Sequence, residues 1–85
     1  MTRRDKDLNR ILDGRFDRSV DFALLLTVLR RLGFSVRTSG SHTTLTRPDI
    51  PVAIVLQPRG KLAKDYQVRQ VRRVILEYED LESGE

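Results

Sequence analysis

The apolar positions of this chain follow a helical period at both ends and an extended pattern in the middle. Residues 5–14 carry Leu8, Ile11 and Leu12 at helical spacing and stop at Gly14, which predicts a helix too short to be stable by itself. Residues 21–32 repeat the pattern more fully. Phe22, Leu25, Leu29 and Leu32 form one stripe, Asp21 stands at the N-cap position, and Gly33 is placed to take the left-handed conformation that ends a helix. Phe34 would then touch Leu29 in a Schellman ending. Leu24, Leu26 and Val28 widen the apolar arc, so this helix has surface for the first helix or for a partner.

Three extended runs follow, at residues 34–39, 42–47 and 52–56, separated by Ser39-Gly40 and by Pro48-Asp49-Ile50-Pro51. The β-branched content of the runs and the turn residues between them predict a three-stranded antiparallel sheet. The third run, Val52-Ala53-Ile54-Val55-Leu56, is apolar throughout, as a strand covered in part on both faces would be. Residues 57–64 read as a basic loop around Pro58 and Gly60. A last helix over 65–78 puts Val68, Val71, Val74, Ile75 and Tyr78 on one face and Arg69, Arg72 and Arg73 on another. The prediction is an α+β fold, helix–strand–strand–strand–helix with an extra short N-terminal helix. It forms one domain over residues 1–85, with its core at about residues 20–78 and an acidic tail at 79–85.

Charge changes this picture more than composition does. The net charge is +4, but residues 30–73 hold ten Lys or Arg against Asp49 and Asp65, while residues 77–85 hold five acids and no base. A central segment this basic attracts a polyanion, whether nucleic acid or an acidic protein, through long-range steering and counterion release. The chain has no cysteine, which removes disulfides, thiolate ligands and a thiol nucleophile together and fits a reducing compartment. No apolar run follows the N-terminus as in a signal sequence, and none approaches bilayer length, so a cytoplasmic location is expected.

The one histidine, His42, follows Gly40 and Ser41 on the predicted hairpin between two basic segments. Cleaving RNA without a metal requires taking the proton from a 2′-hydroxyl, protonating the departing 5′-oxygen and stabilising the charge of the phosphorane. Histidine can fill either proton-transfer role near neutrality. The other role is open to Lys61, Lys64, Tyr66 or a water. Ser41 can hold a phosphate oxygen, Gly40 lets backbone approach it closely, and surrounding cations stabilise the developing charge. A transition-metal site is not expected from a single His and no Cys, and neither a P-loop nor a dinucleotide fingerprint occurs.

Leu29-Arg30-Arg31-Leu32-Gly33-Phe34, then Gly40-Ser41-His42, then Leu56-Gln57-Pro58, Lys61, Lys64 and the run from Tyr66 to Arg72 resemble, in this order, the HicA toxins of type II toxin–antitoxin modules. The likeness covers about residues 11 to 78. It implies a double-stranded-RNA-binding-domain-like fold, an mRNA endonuclease activity that needs no cofactor, and neutralisation by a HicB-type antitoxin. It assigns catalysis to His42. With that assignment, Gly40 and Ser41 position the phosphate, and Arg37, Arg47, Lys61, Lys64, Arg69, Arg72 and Arg73 bind the RNA backbone. Many relatives have a second histidine directly after the first and an aromatic residue two positions later, where this chain has Thr43 and Leu45. Thr43 should face away from His42 on a strand, and the missing aromatic would act on base stacking or packing. Two other classes remain: a catalytically silent RNA-binding module of the same fold, and a protein-interaction module using the wide helix through Leu24 and Val28.

Overall fold

A computed structural model describes residues 6–78 of the chain; the acidic tail and the first residue of the predicted N-terminal helix lie outside that range. The elements run α1 (Lys6–Asp13), a 3-10 turn (Asp17–Ser19), α2 (Phe22–Arg31), β1 (Ser35–Ser39), β2 (His42–Arg47), β3 (Ile50–Leu56), β4 (Pro58–Arg59), β5 (Leu62–Ala63) and α3 (Asp65–Glu77). Strands β1, β2 and β3 form an antiparallel sheet in chain order, and β4 pairs with β5 in a small hairpin of its own. Two N-terminal helices, a three-stranded antiparallel sheet and a C-terminal helix thus make a compact α+β globule.

One core joins the helices to one face of the sheet. Ile11, Leu25, Leu29, Leu45, Ile54, Leu56, Val68, Val71 and Ile75 are fully buried in it. The N-terminal helix packs on α2 and adds Leu8 and Ile11 to the buried cluster, and Leu24 and Leu26 of α2 are partly buried against the same cluster. Val28 is a core residue rather than part of a free surface.

The end of α2 is the Schellman motif that the sequence predicts. Gly33 has φ +95°, its N–H donates to the Arg30 carbonyl at 3.0 Å, and the Phe34 N–H donates to the Leu29 carbonyl at 3.1 Å. The start of α2 differs from expectation. Asp21 holds the N-cap position but its side chain makes no capping hydrogen bond. Instead the Phe22 N–H donates to the Lys61 carbonyl at 2.9 Å, and the Ala63 N–H donates to the Val20 carbonyl at 2.8 Å. The β4–β5 hairpin thereby satisfies the helix start with backbone atoms, leaving the Asp21 carboxylate one fewer free donor to cap.

Two further expectations are corrected. Residues 57–64 are the ordered β4–β5 hairpin and its flanks rather than a loop, because Gly60, at φ +63°, allows a tight turn between the paired Arg59 and Leu62. The third strand is longer than predicted and is not covered on both faces. It begins at Ile50, two residues after Pro48; Val55, opposite Thr44 on the face away from the helices, is 46% exposed, and Val52, in the irregular stretch between Ile50 and Ile54, is 50% exposed. Its register with β2 shifts between the Leu45↔Ile54 and Arg47↔Ile50 pairs. Pro51, which has no N–H to give the ladder, lies inside that irregularity.

Candidate nucleic-acid interface

His42 opens β2 directly after a two-residue turn. Ser39 pairs with His42 across Gly40 and Ser41; Gly40 has φ +61° and Ser41 a negative φ, the sign pattern of a type II′ hairpin turn whose first central position favours glycine. An added Cβ on Gly40 would meet nothing within 4 Å, so its requirement is conformational and its surface stays open to a ligand. Residues opposite each other in an antiparallel ladder share a face. His42, Thr44 and Thr46, paired with Ser39, Arg37 and Ser35, therefore lie on the open face of the sheet, away from the helices. Thr43 and Leu45 point into the core, Leu45 fully buried and Thr43 nearly so. Leu45 is thus a packing position in this chain, not a base-stacking one.

The β2–β3 register pairs Thr43 with Leu56, and its continuation sets Gln57 beside His42. Gln57 is the hub of the site. Its Nε2 donates to Ser41 Oγ at 3.2 Å, and its Oε1 accepts from Lys64 Nζ at 3.5 Å. The Lys64 ammonium lies 6.0 Å from the centre of the Tyr66 ring. Gln57 is itself fixed by Gln67, a buried residue of α3. The Gln67 amide donates from Nε2 to the Gln57 carbonyl at 2.9 Å and accepts the Gln57 N–H at Oε1 at 3.1 Å. A side-chain amide thus replaces the neighbouring strand that β3 lacks after Leu56. The arrangement brings together His42, Ser41, Gln57, Lys64 and Tyr66 at one end of the sheet. Among the described residues no group hydrogen-bonds the His42 imidazole, which stands exposed.

Besides Lys64, the cations predicted to bind RNA divide into three groups. Arg37 is exposed on the open sheet face with His42, and Lys61 is exposed at the tip of the β4–β5 hairpin. Arg69 and Arg73 are exposed on α3; because Val68, Val71 and Ile75 of that helix are buried toward the sheet, these two arginines face away from it. Arg69 also pairs with Asp65 at 3.5 Å. Arg47 and Arg72 are held inside the protein. Arg72 forms a two-pronged ion pair with Asp17 at 2.9 and 3.0 Å and donates to the Ile11 carbonyl at 3.0 Å. The hydrogen bond to Asp17 holds its guanidinium above the usual arginine range. Arg47 hydrogen-bonds the Leu32 carbonyl and pairs with Asp49 at 2.8 Å. Their side chains are 19% and 21% exposed, so each has a structural task at a helix end and little surface for a phosphate.

No protein-family model, curated protein or solved structure matches this chain. Two shallow concavities lie outside the His42 site, the first of them sharing Lys64 with it. One, of about 420 Å³, lies among Arg18, Arg59, Leu62, Ala63, Lys64 and Asp65; the other, of about 600 Å³, lies on the outer side of α3. Among the described residues no three His, Asp or Glu side chains gather as a metal site, and no helix is long and apolar enough to cross a membrane.

Sequence reasoning missed Gln57 and Gln67 as site residues. Gln67 left a signal, being the one polar side chain on the buried stripe of α3. Gln57 left none, since its role depends on a hairpin register fixed only once β2 and β3 pair.

Proposed function

We propose that this chain is a HicA-type toxin, a metal-independent endoribonuclease that cleaves mRNA in the cytoplasm and is neutralised by a HicB-type antitoxin. The observation that carries the reading is the exposed His42 imidazole beside the glycine turn, next to a Ser41–Gln57–Lys64 relay that ends in a cation. The order of helices and strands also fits the double-stranded-RNA-binding-domain-like fold that the resemblance implies, with the β4–β5 hairpin as an addition.

In this mechanism a phosphate of the strand rests at the Gly40–Ser41 turn. The Ser41 hydroxyl donates to a phosphate oxygen while Gln57 and Lys64 hold the turn and supply positive potential. His42 transfers one of the two protons of the reaction, and the second falls to Lys64, Lys61, Tyr66 or a water. Arg37 on the same sheet face binds the strand beyond the scissile phosphate. An antitoxin that laid an acidic surface over His42 would compete with RNA for the same cations.

A defined mRNA incubated in EDTA with wild-type protein or His42→Ala and run on a denaturing gel tests this. Cleavage by wild type alone is expected; equal cleavage by His42→Ala would end the proposal. The free imidazole, with no described partner to fix its tautomer, favours one second reading, a silent RNA-binding module. That reading predicts salt-sensitive RNA binding without turnover, unchanged by His42→Ala.

A further inference from the structure

The chain has five aromatic residues, and four of them are occupied. Phe34 is buried, and Phe22 and Tyr78 pack against the core. Phe16 lies under the Arg10 guanidinium, 4.6 Å from the ring centre. Tyr66 differs: its cation, the Lys64 ammonium, lies farther off, at 6.0 Å from the ring centre, and the ring is outside the core cluster. It stands in the first turn of α3 with 52% of its surface in water, held by its backbone N–H, which donates to Asp65 Oδ1 at 2.8 Å. The helix start is well hydrogen-bonded there: the Gln67 and Val68 N–H groups both donate to the Lys64 carbonyl, and the Gln67 side chain pairs with the Gln57 backbone.

The position of the ring gives the exposure meaning. Lys64 links Tyr66 to Gln57, and Gln57 links to Ser41 beside His42. The open sheet face on which His42 lies offers Ser35, Arg37, Thr44, Thr46 and Val55 but no aromatic side chain. A strand crossing that face has phosphate donors and cations, and Tyr66 is the one ring on which a base can lie. Stacking is sequence-tolerant, since every base has a π-face, and it demands an unpaired base, since bases within a duplex are already stacked on their neighbours.

We infer that Tyr66 is the base-stacking platform of the site and that the substrate is single-stranded RNA, one of whose bases near the bound phosphate lies on this ring. The inference rests on the proposed ribonuclease reading for its ligand but not for its test. The chain contains no tryptophan, so Tyr66→Trp introduces a single fluorophore sensitive to stacking.

The experiment uses the full chain with His42→Ala as background, so that binding is read without cleavage, and two probes: a short unstructured RNA and a blunt RNA duplex containing the same sequence. The Tyr66→Trp fluorescence should be quenched by the single strand and not by the duplex. Tyr66→Ala should weaken single-strand binding about tenfold, within the range that one stacked base supplies, and leave duplex binding unchanged. Tyr66→Phe, which keeps the ring and loses the hydroxyl, should retain affinity. Wild-type affinity of Tyr66→Ala for the single strand, equal loss on both probes, or equal loss in Tyr66→Phe and Tyr66→Ala would overturn the inference. Cleavage assays in the His42 wild-type chain are scored separately, so a failed nuclease reading leaves the stacking result interpretable, and the reverse.

Discussion

Two glutamines do at the residue scale what the histidine cannot do for itself. Gln67 pairs with both backbone groups of Gln57, and Gln57 then spends its side chain on Ser41 and Lys64. The first interaction is buried and the second is at the surface, so the two residues should separate stability from activity. Gln67→Ala leaves the N–H and C=O of Gln57 unsatisfied at a partly buried position and should lower stability by about 1–3 kcal/mol in urea unfolding. Gln57→Ala keeps the backbone pairing, so its stability should stay within about 0.5 kcal/mol of wild type, while RNA cleavage falls because Ser41 and Lys64 lose their common partner. His42 and the Gly-Ser turn were legible in the sequence because they are local and chemically distinctive. The glutamines were not, since nothing along the chain shows which polar side chain a finished sheet edge will need.

At the scale of elements, α1 and α2 end in the same way. Each stops at a glycine with positive φ, Gly14 at +89° and Gly33 at +95°, and each has an arginine from a distant element on one of its last carbonyls, paired with a carboxylate. Arg72 with Asp17 closes α1, and Arg47 with Asp49 closes α2. An added Cβ would stand 3.4 Å from the Arg72 guanidinium at Gly14 and 3.5 Å from that of Arg47 at Gly33. The negative end of a helix and its unpaired carbonyls explain why a cation is useful there. The charge on Arg72 is constant over the working range: its hydrogen bond to Asp17 holds its pKa above the usual arginine range, so the charge is lost only as pH rises beyond that range. Arg72→Met should cost about 2–4 kcal/mol, because it leaves the nearly buried Asp17 carboxylate unpaired, whereas Arg73→Met should change stability by less than about 0.5 kcal/mol. Chemical denaturation of the two variants decides this; equal stabilities would show that the clamp is dispensable. The helices and strands themselves could be read from periodicity and turn residues. The different fates of Arg72 and Arg73 could not, since both lie outside the apolar stripe of α3 and only the position of the 3-10 turn, packed on that helix, distinguishes them.

Over the whole molecule the +8 charge of residues 30–73 does not form one surface. With Arg47 and Arg72 used internally, the remaining predicted cations occupy three places: Arg37 on the sheet face and Lys64 beside Gln57, at the His42 end; Lys61 at the tip of the β4–β5 hairpin, against the start of α2; and Arg69 and Arg73 on the far side of the helical layer. A short single strand held at the Gly40–Ser41 turn and ending on Tyr66 would reach Arg37 and Lys64 and stop one helical turn short of Arg69. Each phosphate contact on a single strand contributes about 0.7 to the slope of log affinity against log salt. Substituting Arg37 and Lys64 together by Ala should therefore reduce that slope by about 1.4, while Arg69→Ala with Arg73→Ala should leave it unchanged for the same short RNA. The comparison has to be made across a salt series, since a single affinity mixes these charge terms with stacking at Tyr66. If the helix-layer pair lowers the slope as much as the sheet-end pair, the strand runs over α3 instead, and the His42 face is not where the RNA lies. If only the sheet-end pair matters, the α3 arginines are left without a role in RNA binding, and the basic character of this chain divides into a nucleic-acid face and a second cationic surface on its opposite side.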